Sequence, residues 1–84
     1  MGPVYYADLT DDEIIAADGI VVHGNGGEEY GQFIPQPPEG RAPDVGPKRL
    51  NVLVIEVDGS ELQELAHRVL ELRGNLAPDA QAYL

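Results

Sequence analysis

The sequence has no cysteine, no tryptophan and a single methionine, and its first 40 residues contain neither lysine nor arginine. Without cysteine there is no disulfide framework, no thiolate metal site and no thiol nucleophile. Long apolar runs are also missing, and nothing approaches the roughly 20 residues a membrane-spanning helix needs. The start, MGPVYYADLT, has neither the basic opening nor the apolar core of a secretory signal. The expected location is the cytoplasm, or the virion if the gene is phage-encoded. Four arginines against one lysine, with abundant alanine, glycine and proline, point to a GC-rich bacterial or phage gene.

The scarcity of bases has a chemical consequence. Fifteen Asp and Glu stand against five Lys and Arg, a net charge of −10 at pH 7. Affinity for nucleic acid comes from cations that displace condensed counterions, so a chain of this sign repels phosphate backbones. Direct DNA or RNA binding is excluded on that ground, and the lack of a spanning segment argues against a membrane partner. All five bases lie between Arg41 and Arg73. The polyanionic first half either keeps the chain soluble or recognises a partner with a basic face.

What is present suffices for one small domain. Ordering 84 residues costs on the order of 1.5 kcal/mol each, which buried apolar surface must offset. Patterning predicts a single α+β domain over 1–84, with a short antiparallel or mixed sheet, two helices and a long Pro-rich extended connection. The order in the sheet is left open.

The first strand is expected over 4–7 and the first helix over 11–18. Thr10 with Glu13 forms a capping box, Leu9 and Ile14 a hydrophobic staple, and Asp11 and Asp12 face the positive end of the helix dipole. Those carboxylates resemble metal ligands, yet the helix start already uses each of them. Gly19 is expected to end the helix in a left-handed conformation, with Ile20 folding back on Ile15.

The stretch HGNGGEEYGQF, residues 23–33, holds a histidine, a glycine-rich loop and two glutamates. It reads as a hairpin with strands over 20–23 and 29–34, turned by Asn25-Gly26 in a type I′ turn with positive φ at both centres. A phosphate loop would need a lysine and a hydroxyl after the glycines, where Glu28 and Glu29 stand. His23 with Glu28 or Glu29 is the chain's candidate acid/base pair, set against the commoner case of a strand-end histidine beside surface carboxylates.

Residues 35–47, PQPPEGRAPDVGP, contain five of the seven prolines. Proline fixes φ and removes amide donors, so this stretch is expected as an extended connection. Either it only links two sides of the fold, or it is an arm laid on a partner. In the second case Pro35, Pro37, Pro38, Arg41 and Pro43 are its contacts.

A central strand follows over 49–57, with Leu50, Val52 and Val54 on one face and Leu53, Ile55 and Val57 on the other. Two apolar faces place it in the middle of a sheet or between two layers. Ser60 and Gln63 form a second capping box for a helix over 61–73, whose core stripe is Leu62, Leu65, Ala66, Val69 and Leu70. Gly74 and Pro78 stop it. On its outer face Glu64-x-x-His67 has the spacing of di-iron carboxylate sites, but it occurs once and points away from the apolar stripe. An i, i+4 pair between Glu64 and Arg68 accounts for the same residues. Residues 75–84 are expected as a loose tail whose Tyr83 and Leu84 offer an apolar tip to a partner.

No nucleophile stands with a base, no metal set converges and no cofactor loop occurs, so the expectation is a protein that is not an enzyme and needs no cofactor. The function expected is a non-catalytic, protein-binding subunit of a larger homo- or hetero-oligomeric assembly, specifically a phage virion decoration or minor capsid protein. The alternative is an acidic inhibitor or nucleic-acid mimic that binds a basic protein.

Overall fold

The computed structural model describes residues 2–34 and 51–84. The Pro-rich connection and its contacts Pro35, Pro37, Pro38, Arg41 and Pro43 lie outside the described residues. Among those described, strands β1 (Val4–Tyr5), β2 (Gly19–Gly24), β3 (Glu29–Ile34) and β4 (Val52–Val57) form one mixed sheet in the order β1-β4-β2-β3. Strand β4 runs parallel to both β1 and β2, and β3 is antiparallel to β2. Helices α1 (Asp11–Ala16), α2 (Leu62–Arg73) and α3 (Pro78–Gln81) complete an α+β domain. No described helix is long and apolar enough to cross a membrane.

Helix α1 starts as its sequence dictates. The Glu13 amide donates to Thr10 Oγ1 at 3.3 Å and the Thr10 amide donates to Glu13 Oε1 at 2.9 Å, satisfying two orphan donors. Its end differs from the expectation. The helix stops at Ala16 with Ala17 extended, Gly19 opens β2, and Ile15 stays half exposed while Ile20 is buried. No left-handed glycine is needed, because side chains from elsewhere satisfy the last carbonyls. Arg73 Nη1 donates to the Ile14, Ile15 and Ala17 carbonyls at 2.7–2.8 Å, and Asn51 Nδ2 donates to that of Ala16 at 2.9 Å. Asp18 then ties the exit to the start of β4, accepting from the Asn51 amide at 2.7 Å.

The hairpin is present, but its turn is of another type. Among the described residues every one with positive φ is a glycine, and neither Asn25 nor Gly26 is one of them. Gly27 has φ 92°, its amide donates to Gly24 O at 3.0 Å, and the Gly24 amide donates to Glu28 O at 2.7 Å. This is a three-residue loop, a tight turn closed by a left-handed glycine that forms a bulge, and it replaces the expected two-residue type I′ turn. Two further irregularities in the β2–β3 register leave Tyr30 and Phe33 as extra residues on β3. As a result the consecutive Phe33 and Ile34 are both buried.

After β4 the cap lies two residues earlier than expected. Asp58 and Glu61 form the capping box of a 3-10 turn over Gly59–Glu61 that leads into α2, so Ser60 is not the cap. Asp is as good a cap as Ser, and the turn from β4 reaches it first. Leu62, Leu65, Ala66 and Val69 enter the core, whereas Leu70 is 38% exposed. Gly74 ends the helix in the left-handed region, as its sequence predicts. Beyond it the chain is not a loose tail, since Leu76, Ala77 and Ala80 are buried and α3 lies along β3. Gly31 permits that approach, with φ 106° and the Asp79 Cβ 3.2 Å from where its own Cβ would stand.

The core is one cluster built on a single face of the sheet. Ile20 and Val22 of β2, Ile55 and Val57 of β4, and Phe33 and Ile34 of β3 meet Ile14, Leu65, Ala66, Val69 and Ala80 of the helices. Strand β4 is central in the sheet, and the helices pack against Ile55 and Val57.

Candidate functional site

Most of the residues that look chemical in the sequence hold the fold. Glu28 folds over the hairpin turn and accepts from the Gly26 amide at 3.0 Å. Glu64 accepts from the Tyr6 hydroxyl at 2.7 Å, which joins α2 to the segment after β1. Arg68 does not pair with Glu64. It reaches Asp11 Oδ1 at 2.8 Å and the Leu9 carbonyl at 3.0 Å, and its guanidinium lies 5.7 Å from the centre of the Tyr6 ring. An i, i+4 pair on an exposed helix face gains a few tenths of a kcal/mol, whereas this arrangement closes α1 onto α2 and satisfies an otherwise orphaned carbonyl. Partial burial first, then the bond to Glu64, raises the pKa of the Tyr6 hydroxyl above its ordinary value.

Tyr83 and Leu84, expected on a partner, are used within the chain. The Tyr83 ring stacks on Phe33 at 5.9 Å and meets Tyr30 edge-on at 6.2 Å. The Leu84 carbonyl accepts from Gln63 Nε2 at 3.1 Å and lies 3.4 Å from His67 Nε2, although the Leu84 side chain is 44% exposed. Glu64 and His67 thus each face a partner of their own. Among the described residues no group of three or more His, Asp and Glu is placed to hold a metal ion.

His23 has a different setting. The register places it beside Glu29 of β3 and Glu56 of β4, and Glu56 in turn beside Tyr5 of β1. Side chains alternate along a strand, so His23 shares its face with Val21, which lies beside Val54 and Gln32. Val52 continues this face past Val54, and Tyr5 and Val52 are 57% and 43% exposed. None of Tyr5, Val21, Val52 and Val54 belongs to the core cluster. The sheet thus presents an apolar patch of three valines and a tyrosine, with His23, Glu29, Glu56 and Gln32 around it, on the face opposite the helices.

The surface needs both β2–β4 pairing and β1 at the sheet edge, which the sequence does not specify. Its signal was the unusual apolarity of both faces of β4. What the arrangement can do chemically is bury apolar area against a partner and position that partner by charge. No protein-family model, curated protein or solved structure matches this chain.

Proposed function

We propose that this chain is a non-catalytic subunit that binds another protein, as an accessory or structural part of a larger assembly. The observation that carries the reading is the apolar face of the sheet that no described helix covers, centred on Val21, Val52 and Val54 with Tyr5 beside them. A domain of 84 residues has little apolar surface to spare for its own stability. Leaving β-branched residues of the central strand without cover from any described element, when helices bury the other side, is intelligible if a partner covers them.

The test is the native mass of the chain in a lysate of the cells that encode it, against the mass of the isolated chain. A larger species is expected in the lysate. A Tyr5→Asp, Val52→Asp variant, which folds because both positions are exposed, is expected to lose it. A chain that runs as a monomer in both settings would end this reading.

A second reading, the acidic inhibitor, draws on the charge layout. Arg68 and Arg73, the cations among the described residues, are both engaged with α1, so the described surface is left anionic. Such an inhibitor would bind through carboxylates alone and dissociate at about 1 M salt, where the screening length falls to about 3 Å. Binding through the valines persists there.

A further inference from the structure

We infer that the open face of the sheet docks a different protein whose surface is apolar at its centre and basic at its rim. This rests on the protein-binding reading and specifies the partner's chemistry. The valines and Tyr5 supply the apolar centre. Glu29 and Glu56 flank His23 at one end of it. Among the described residues neither glutamate has a cationic partner, because the one ion pair joins Arg68 to Asp11 on the helical side. Arg73 is held there too, by the carbonyls of α1.

Charge decides between occupants. A second copy of this chain brings a further net charge of −10, and its described cations are engaged with its own first helix. Its described residues hold no free cation to meet Glu29 and Glu56, and two copies of the same strongly negative net charge oppose association. Nucleic acid offers the same wrong sign. A protein carrying Lys or Arg around an apolar centre satisfies both the valines and the carboxylates.

The experiment places a photo-crosslinking benzoylphenylalanine at Val52 or at Tyr5 in the full chain, with exposed Glu71 on α2 as the opposite-side control, in the cells that encode the protein. The expected result is a cross-link from 52 and from 5, absent from 71, to one other protein at a region combining Lys or Arg with apolar residues. That protein, purified, should bind the Glu29→Lys, Glu56→Lys variant about tenfold more weakly than the native chain at low salt. The gap should close near 1 M salt, where charges are screened within about 3 Å. Cross-links to a second copy of the chain, to an acidic surface or to nucleic acid overturn the inference, as does equal binding of the charge-reversed variant. Cross-links only from 71 also overturn it but leave the protein-binding reading in place. No cross-link from any position, together with a monomeric mass in the lysate, removes both.

Discussion

Glu56 apart, the two faces of β4 are alike in composition and opposite in fate. Ile55 and Val57 are fully buried beneath the helices, whereas Val52 on the other face is 43% exposed. With that exception both sets are aliphatic and mostly β-branched, so neither propensity nor hydropathy tells which valines will be covered. What separates them is how many elements the chain has left to place. Among the described residues all three helices contribute to the core on one face, and none of their residues joins Val21 and Val54 on the other. A strand with two apolar faces thus states a need for cover on both sides, but not who provides it.

The comparison breaks most visibly under truncation. Phe33 is fully buried and carries the Tyr83 ring, so Phe33→Ala should cost about 3–5 kcal/mol, comparable to the whole net stability of so small a core. Val54→Ala on the open face should cost about 1 kcal/mol or less in the isolated chain. Urea unfolding measures both. Equal losses would mean that the open face is already packed in the monomer, and the distinction between the faces would fall.

The next largest effect concerns what keeps the helices on their side of the sheet. Arg73→Met keeps the aliphatic stem but removes the donor shared by the carbonyls of Ile14 and Ile15 in α1 and of Ala17 just beyond it. Hydrogen bonds to a charged group are worth about 1.5–3 kcal/mol, so a loss in that range is expected, with early hydrogen exchange in α1. A variant that melts with the native chain would show that α1 needs no cap from α2.

Arg73 also marks the limit of what was legible in the sequence. The α+β class, the hairpin, the start of α1, the core stripe from Leu62 to Val69 and the stop at Gly74 all follow from signals within a few residues of each other. Each of those signals is a local hydrogen-bonding or periodicity rule that the fold obeys. The end of α1 is set by Arg73 and Asn51, 57 and 35 residues away from Ala16 by number, and no local pattern carries such a cap. The same holds for Arg68, which leaves Glu64 for Asp11, and for Tyr83, which docks on β3 because Gly31 opens space for Asp79. The open face was half legible. Alternation assigned Val52 and Val54 to one side of β4, but Val21, His23 and Tyr5 join them only through a sheet order that the sequence leaves open.

A smaller effect sharpens the contrast at the hairpin, where the two faces meet at the end of β2. Gly27 holds the left-handed position, and Val there should cost about 1–2 kcal/mol because a Cβ crowds the carbonyl at positive φ. At Gly26 the backbone asks for no such freedom. A Cβ would meet only the flexible Glu28 carboxylate, 3.1 Å away, so Gly26→Ala should cost less than Gly27→Val. Thermal melts that rank the two variants the other way would restore the two-residue turn at Asn25-Gly26.

The smallest effect compares two adjacent tyrosines, Tyr5 on the open face and Tyr6 against the core. Tyr6 donates to Glu64, and burial followed by that bond raises its pKa above the ordinary value of about 10. A raised tyrosine pKa means that folding favours the neutral, protonated hydroxyl. Its contribution is therefore fully present below about pH 10 and is lost as pH rises through the higher folded value, where a phenolate would face the Glu64 carboxylate. Tyr6→Phe removes the titrating group along with its hydrogen bond. It should lower stability slightly near neutrality and flatten the fall that sets in above about pH 10, so that the two stability curves converge at the alkaline end. Tyr30, whose pKa is raised by desolvation and then by Glu28, Tyr83 and Asp58, keeps a residual slope in that variant, which Tyr30→Phe should remove. Parallel curves for Tyr6→Phe and the native chain across that range would show that the Tyr6 hydroxyl is not held by Glu64, and that the junction of β1 with the helical side rests on packing and Arg68 alone.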